Sequence, residues 1–265
     1  MKKYHIIIFL CGLLCAATMT VRAQSGPTGI LTWNIADGTL TISGDGAMPN
    51  YGYVSSSFVT SAPWGIYRDS FIDVVINNGV THIGNDAFYG CSNITSVTIP
   101  ESVITIGNNA FRNCNRLAFV TIPENVTSIG NYAFKSCGSI SVSFNATNCT
   151  TMGNFEESVF DDCSVFMLNI GDNVTRIPDN AFYGCSGYTS VTIPESVTYI
   201  GEYAFAFCRS LTSVTIPEGI TTISKGVFWY CDNLISVNIP NSIISISDNM
   251  FSNCSSLTSP RQHKT

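Results

Sequence analysis

Charge is what this chain has least of. Only 11% of its 265 residues are Asp, Glu, Lys or Arg, against about 25% in ordinary soluble domains. The basic sign is the scarcer, with 12 Lys+Arg against 18 Asp+Glu. That excludes the basic surface on which nucleic-acid binding depends. There are three histidines; past the first 23 residues only His82 and His263 remain, too far apart to build a metal site. Cys-x-x-Cys pairs are missing, which argues against zinc. There is no Gly-x-Ser-x-Gly elbow, and Gly44-Asp45-Gly46 is neither a Walker motif nor a dinucleotide fingerprint. Asp37 and Asp45 lack EF-hand spacing. No catalytic constellation is present, so the chain reads as a non-enzyme with no cofactor and no metal. After the leader no second long apolar run occurs, so a helical membrane span is excluded. Disorder is excluded by what is abundant: 45% of the residues are hydrophobic and 11% aromatic.

The leader comprises Met1-Lys2-Lys3, an apolar run from Ile6 to Ala17, and Val21-Arg22-Ala23. This order predicts a secretory signal peptide over residues 1–23, cut near Ala23. Leu10 and Leu14 precede Cys11 and Cys15, which is not the small residue a lipoprotein signal requires. Secretion or a cell-surface location follows. Removing the leader leaves 9 basic residues against 18 acidic ones, because Lys2, Lys3 and Arg22 go with it.

The rest repeats. Phe-x-x-Cys recurs at Phe88, Phe111, Phe134, Phe160, Phe182, Phe205, Phe228 and Phe251, with successive spacings of 23, 23, 26, 22, 23, 23 and 23. A fixed period in this range signals a solenoid. Each unit opens with period-two alternation, as in Ser213-Val214-Thr215-Ile216, which predicts a short strand with one buried face. Proline ends that strand at positions 100, 123, 194, 217 and 240. A second apolar pair follows, then a Gly read as a bend (Gly84, Gly107, Gly130, Gly201), then Ala-Phe-x-x-Cys read as one helical turn. One unit cannot bury its apolar face alone, so stacking supplies a continuous core. The predicted fold is a β-rich right-handed superhelix of about eight 23-residue rungs over residues 71–257, with short helical turns. Residues 24–70 read as an N-terminal cap. Its hairpin is Leu31–Ile35 and Thr39–Ser43 around Asp37-Gly38, and Trp64 is expected to pack on the first rung. Two units are irregular. A loop, Thr147–Glu157, is inserted, and the following unit is taken to start at Phe166. The loop is either drift or a protruding binding loop. A ninth unit begins at Leu257, and residues 258–265 read as a truncated or disordered tail.

Residues 71–257 resemble the BspA-like class of leucine-rich repeats. The pattern shared is Leu/Ile-x-x-Val-x-Ile-Pro, then Val-x-x-Ile-Gly-x-x-Ala-Phe-x-x-Cys. The cap resembles the usual leader of that class through Leu31-x-Trp33, Gly38 to Gly44 and Ala62-Pro63-Trp64. The resemblance implies a secreted or cell-surface protein of host-associated bacteria or protists, some of whose relatives are adhesins for host extracellular-matrix proteins. It carries over no catalytic residue. Members usually continue past such a repeat or carry an anchoring domain.

Eight cysteines sit on the ladder, all pointing inward. They are expected to be buried thiols rather than disulfides, since stacked Cβ atoms sit about 4.8 Å apart against the roughly 3.8 Å a bridge prefers. Cys149 lies off the ladder and is free or paired with Cys137 or Cys163. The outward strand positions, among them Ser96, Thr98, Thr121, Thr192, Thr215 and Asn238, form a flat polar face. Phe119 and Met167 interrupt it and are the candidate anchors for a protein partner. Adhesion-type binding is the leading reading. The second is a structural surface component that self-associates end to end through its last rung. Glu101, Glu124, Glu195 and Glu218 are expected to form a solvated acidic row.

Overall fold

The computed structural model of the protein describes residues 24–258 and 261–262. The predicted signal peptide, residues 1–23, and His263 lie outside the described residues. The first three strands are β1 (Gln24–Thr28), β2 (Leu31–Ala36) and β3 (Thr39–Ser43). The expected hairpin is β2–β3, turning through Asp37 and Gly38 at φ 48° and 76°. The sequence reading missed β1, which adds antiparallel to β2, Gly26 opposite Trp33. β3 then pairs in parallel with Asp73–Ile76, Leu40 opposite Val74 and Ile42 opposite Ile76. This joins the cap to the stack through a continuous sheet. Past β3 a two-residue strand, Gly46–Ala47, lies beside Val80–Ile83.

From there each rung lies parallel to the one before it, one repeat ahead. Val191, Val214 and Val237 stand in one row. Ile83, Ile106, Ile129 and Met152 stand in a second. All these residues are buried. Behind them the eight Phe rings stack, with centroids 4.9 Å apart for Phe88–Phe111 and 5.1 Å for Phe111–Phe134. Trp64 starts this column, 5.6 Å from Phe88, and its indole N–H donates to the Ala87 carbonyl at 2.9 Å. Ring pairs of this kind add about 0.5–1.5 kcal/mol beyond their burial.

The predicted helical turns are not helices. Among the described residues only Gly65–Tyr67 is helical, as a 3-10 turn. The reason lies in where the N–H groups point. Phe88 N–H donates to Ala110 O of the next rung at 2.7 Å, while Tyr89 N–H folds back to Asp86 O at 3.2 Å. An α-turn would send both back along its own segment. Alternation requires left-handed residues two before and two after the ring, such as Asp86 (φ 52°) and Gly90 (φ 71°), then Asn109 (φ 52°) and Asn113 (φ 63°). Sequence spacing alone does not separate this turn pair from a helical turn.

The glycine row also serves a different purpose from a bend. A Cβ on Gly107 would sit 2.6 Å from Asn85 N and 2.8 Å from Gly84 C. The rungs touch there, backbone on backbone, and only hydrogen fits.

The thiols take the predicted place. All nine described cysteines are free and buried. Cys114 Sγ donates to Phe88 O at 3.3 Å, Cys137 Sγ to Phe111 O at 3.2 Å and Cys231 Sγ to Phe205 O at 3.2 Å. Each thiol thus adds a second donor to a carbonyl of the rung before it that already accepts that rung's own Cys N–H. Cys149 is free and buried, and its Sγ faces Thr151 O at 3.5 Å.

The irregular rung contains a bulge. Ile140 pairs with Val165 but Ser141 pairs with Met167, which leaves Phe166 extra on its strand. The buried start of that unit is therefore Val165, not Phe166, which is thrown outward. At the far end, Arg261–Gln262 forms a strand beside Asn238 and Ile239. Within the segment read as a truncated or disordered tail, Arg261 thus stands 23 residues after its partner Asn238.

Candidate functional site

Two surfaces concentrate side chains that are not spent on the fold. The first is the outer strand face. Phe119, Ser141 and Met167 stand in one register row. Phe119 and Met167 are therefore two strands, roughly 10 Å, apart, and they are 50% and 56% exposed. The bulge adds Phe166, 51% exposed, which the sequence reading takes as the start of its unit. Only the odd spacing of the repeat marked it. Thr121 lies in the next row with Ser143 and Asn169. Thr192, Thr215 and Asn238 share a row on a separate sheet. Ser96 and Thr98 lie on the sheet that includes the cap, where Ser96 Oγ donates to Asp73 at 2.6 Å. The predicted site residues thus divide among three sheets, and of the polar ones only Thr121 shares a sheet with Phe119 and Met167.

The acidic row has a structural task that solvation alone does not describe. Glu101 accepts the backbone N–H of Glu124 at 3.0 Å, and Glu195 that of Glu218 at 3.3 Å. His82 is held between Thr105 at 2.6 Å and Asn50 at 3.2 Å, and burial lowers its pKa. Among the described residues no group of His, Cys, Asp and Glu could hold a metal, and no helix is long and apolar enough to cross a membrane.

The second surface lies on the turns, and sequence reasoning missed it. Phe155, at the tip of the inserted loop, meets Tyr183, Tyr203 and Trp229, with centroids 5.2, 5.8 and 6.3 Å away. These three rings come from three successive rungs. Phe207 packs on Tyr183 and Trp229 at 5.2 Å each and on Tyr230 at 4.8 Å. Asn154 shapes the loop by accepting the N–H groups of Glu156 and Glu157, both at 2.9 Å. Tyr132 anchors it through Glu156 O at 2.9 Å. The insertion is thus held by its own hydrogen bonds and by Tyr132. A cavity of about 390 Å³ opens among Phe155, Asp179, Asn180, Glu202, Tyr203 and Trp229. Asn180 Oδ1 is buried and has no donor.

The repeat finds its match among known proteins. The family described as "BspA type Leucine rich repeat region (6 copies)" matches residues 66–187 and 153–264. A leucine-rich repeat protein from Bacteroides ovatus has the same fold, at 22% identity and a TM-score of 0.50, over 88% of this chain and 69% of that one. A leucine-rich repeat protein of T. pallidum aligns at 23% identity and TM-score 0.47, over 88% and 91%. A leucine rich cell surface protein from Faecalibacterium prausnitzii aligns at 23% and 0.32, over 91% and 95%. A search of curated proteins finds no match.

Proposed function

Because the chain belongs to the BspA-type leucine-rich repeat family, we propose that it is a secreted or cell-surface scaffold that binds another protein, in the manner of an adhesin, and is not an enzyme. The observation that carries this reading is the patch of Phe119, Phe166 and Met167. Three large apolar side chains stand half exposed on a face otherwise built of Ser, Thr and Asn. Strand stability does not call for them there, since Ser and Thr fill equivalent positions in other rungs. Clustered exposed apolar groups with a polar surround are the usual anatomy of an interface centre. A host extracellular-matrix protein is the partner class favoured by the resemblance of repeat and cap, and the leader supports export.

The test is surface plasmon resonance on immobilised extracellular-matrix extract. The intact protein is expected to bind. A chain carrying Phe119→Ala, Phe166→Ala and Met167→Ala is expected to lose at least about 2 kcal/mol, roughly thirtyfold in affinity. Unchanged affinity removes the patch from the interface, and no binding by the intact protein removes matrix adhesion.

A further inference from the structure

The aromatic cavity on the turns carries charge that the fold does not require. Three residues before each stacked Phe, the first rungs place Asn85, Asn108 and Asn131. Asn85 Oδ1 accepts Asn108 N–H at 2.8 Å, and Asn108 Oδ1 accepts Asn131 N–H at 2.8 Å. At the same position later rungs place Asp179 and Glu202. Asp179 Oδ1 accepts Glu202 N–H at 2.9 Å, the identical bond. An amide oxygen suffices for it three rungs earlier. The negative charge of Asp179 is therefore additional to the ladder, and it stands beside three rings.

The N-terminal half shows what this chain does with such rings. Arg112 lies 5.7 Å over Tyr89 and 5.2 Å over Tyr132, and Lys135 lies 4.5 Å over Tyr132 while pairing with Asp161. Ring, cation and carboxylate are all supplied internally. Arg112 and Lys135 follow the stacked Phe directly. In the later rungs that position holds Tyr183, Ala206 and Trp229. No basic residue lines the cavity. The nearest, Lys225, is exposed and lies 5.8 Å over Tyr203. In the C-terminal half Lys225 stands over Tyr203 near Glu202, and Arg209 stands over Phe207 while pairing with Asp232, but neither lines the cavity.

We propose that this cavity receives an arginine side chain of a protein partner. The guanidinium lies against Trp229, Tyr203 and Phe155 and donates its N–H groups to Asp179 and Glu202. A guanidinium matches better than an ammonium, because it is flat, stacks on rings and carries five donors. It matches better than a sugar, because the cavity's charged groups are acceptors and, among the described residues, neither Asp179 nor Glu202 is in an ion pair. The acidic balance of the chain, 18 against 12, draws a basic segment toward it. This inference rests on the reading that the partner is a protein, and it adds a second contact on a different side of the rungs from Phe119.

The test needs no partner. Trp33 and Trp64 are 7% and 0% exposed, while Trp229 is half-buried at the cavity, so a fluorescence change on titration reports Trp229. The probes are N-acetyl-arginine amide, its neutral isostere N-acetyl-citrulline amide, and methyl glucoside. The arginine probe is expected to bind with a Kd on the order of a millimolar, about tenfold tighter than citrulline, and more weakly in 0.5 M salt. Asp179→Asn with Glu202→Gln is expected to weaken it at least about fivefold. The melting temperature should stay unchanged, because asparagine keeps the ladder bond. Equal binding of citrulline, an unaffected double variant, or a response to the glucoside without one to arginine overturns the proposal. Because the probes are small, arginine binding can fail while matrix binding through Phe119, Phe166 and Met167 persists, and the reverse.

Discussion

Raising the pH above 9 is expected to dismantle the stack from inside. Burial pushes the thiols of Cys91, Cys149 and Cys208 up to about 12, from an ordinary value of 9.0. Burial also drives Cys114 and Cys185 well above that ordinary value. In the fold these groups stay neutral. In the unfolded chain they release protons above pH 9. The unfolded state then binds fewer protons, so stability falls as pH rises, and below pH 9 the contribution is whole. Each thiol costs about 1.4 kcal/mol per pH unit in that window. The three at about 12 together cost about 4 kcal/mol per unit. A domain holds about 5–15 kcal/mol in total, so unfolding should be complete near pH 11. Urea unfolding followed by circular dichroism, with reductant, at pH 7.5, 8.5, 9.5 and 10.5 measures this. The midpoint should be level below pH 8.5 and then drop steeply. Cys208→Ala should reduce the slope by about 1.4 kcal/mol per unit. A level midpoint from pH 8.5 to 10.5 refutes the buried-thiol reasoning.

The ladder positions make further predictions. Phe134→Ala removes a fully buried ring between two partners and is expected to cost about 3–5 kcal/mol in urea unfolding. Gly107→Ala should cost about 1–3 kcal/mol in the same assay, because the methyl meets the Asn85 and Gly84 backbone as well as Asn85 Oδ1. Asn108→Asp should be nearly neutral and Asn108→Ala should lose about 1 kcal/mol, since only the acceptor for Asn131 N–H matters. If Asp and Ala behave alike, the asparagine ladder has no energetic role. In a chain beginning at residue 24, a thiol reagent at pH 8 should label slowly in the native state and reach all nine cysteines in urea.

The interior was legible because each rung writes it again. Val214 and Ile216 alternate with polar neighbours, and Phe and Cys recur at the repeat spacing, so one period specifies both fold and core. What repeats in number but not in geometry was harder. Ala-Phe-x-x-Cys has helical spacing, and only the direction of Phe88 N–H distinguishes a turn pair. Phe166 was misplaced because an extra residue in one strand reverses inside and outside beyond it. The aromatic cavity was invisible for another reason. Phe155 comes from an insertion, while Tyr203 precedes its stacked ring and Trp229 follows its own. Three non-equivalent positions in different rungs meet only once the rungs are stacked.

The parallel register has a kinetic corollary. Strands that pair side by side are ordinarily distant in the chain, and closing such loops makes all-β proteins slow to fold. Here Val191 meets Val214, and Val214 meets Val237. The typical partner is 23 residues away, roughly a tenth of the chain, which is the separation found in helical bundles. Each rung needs only the edge laid down just before it, and the antiparallel strands β1–β3 provide the first such edge from contacts still closer in sequence. A molecule whose regular structure, among the described residues, is nearly all strand therefore has the search problem of a helical one.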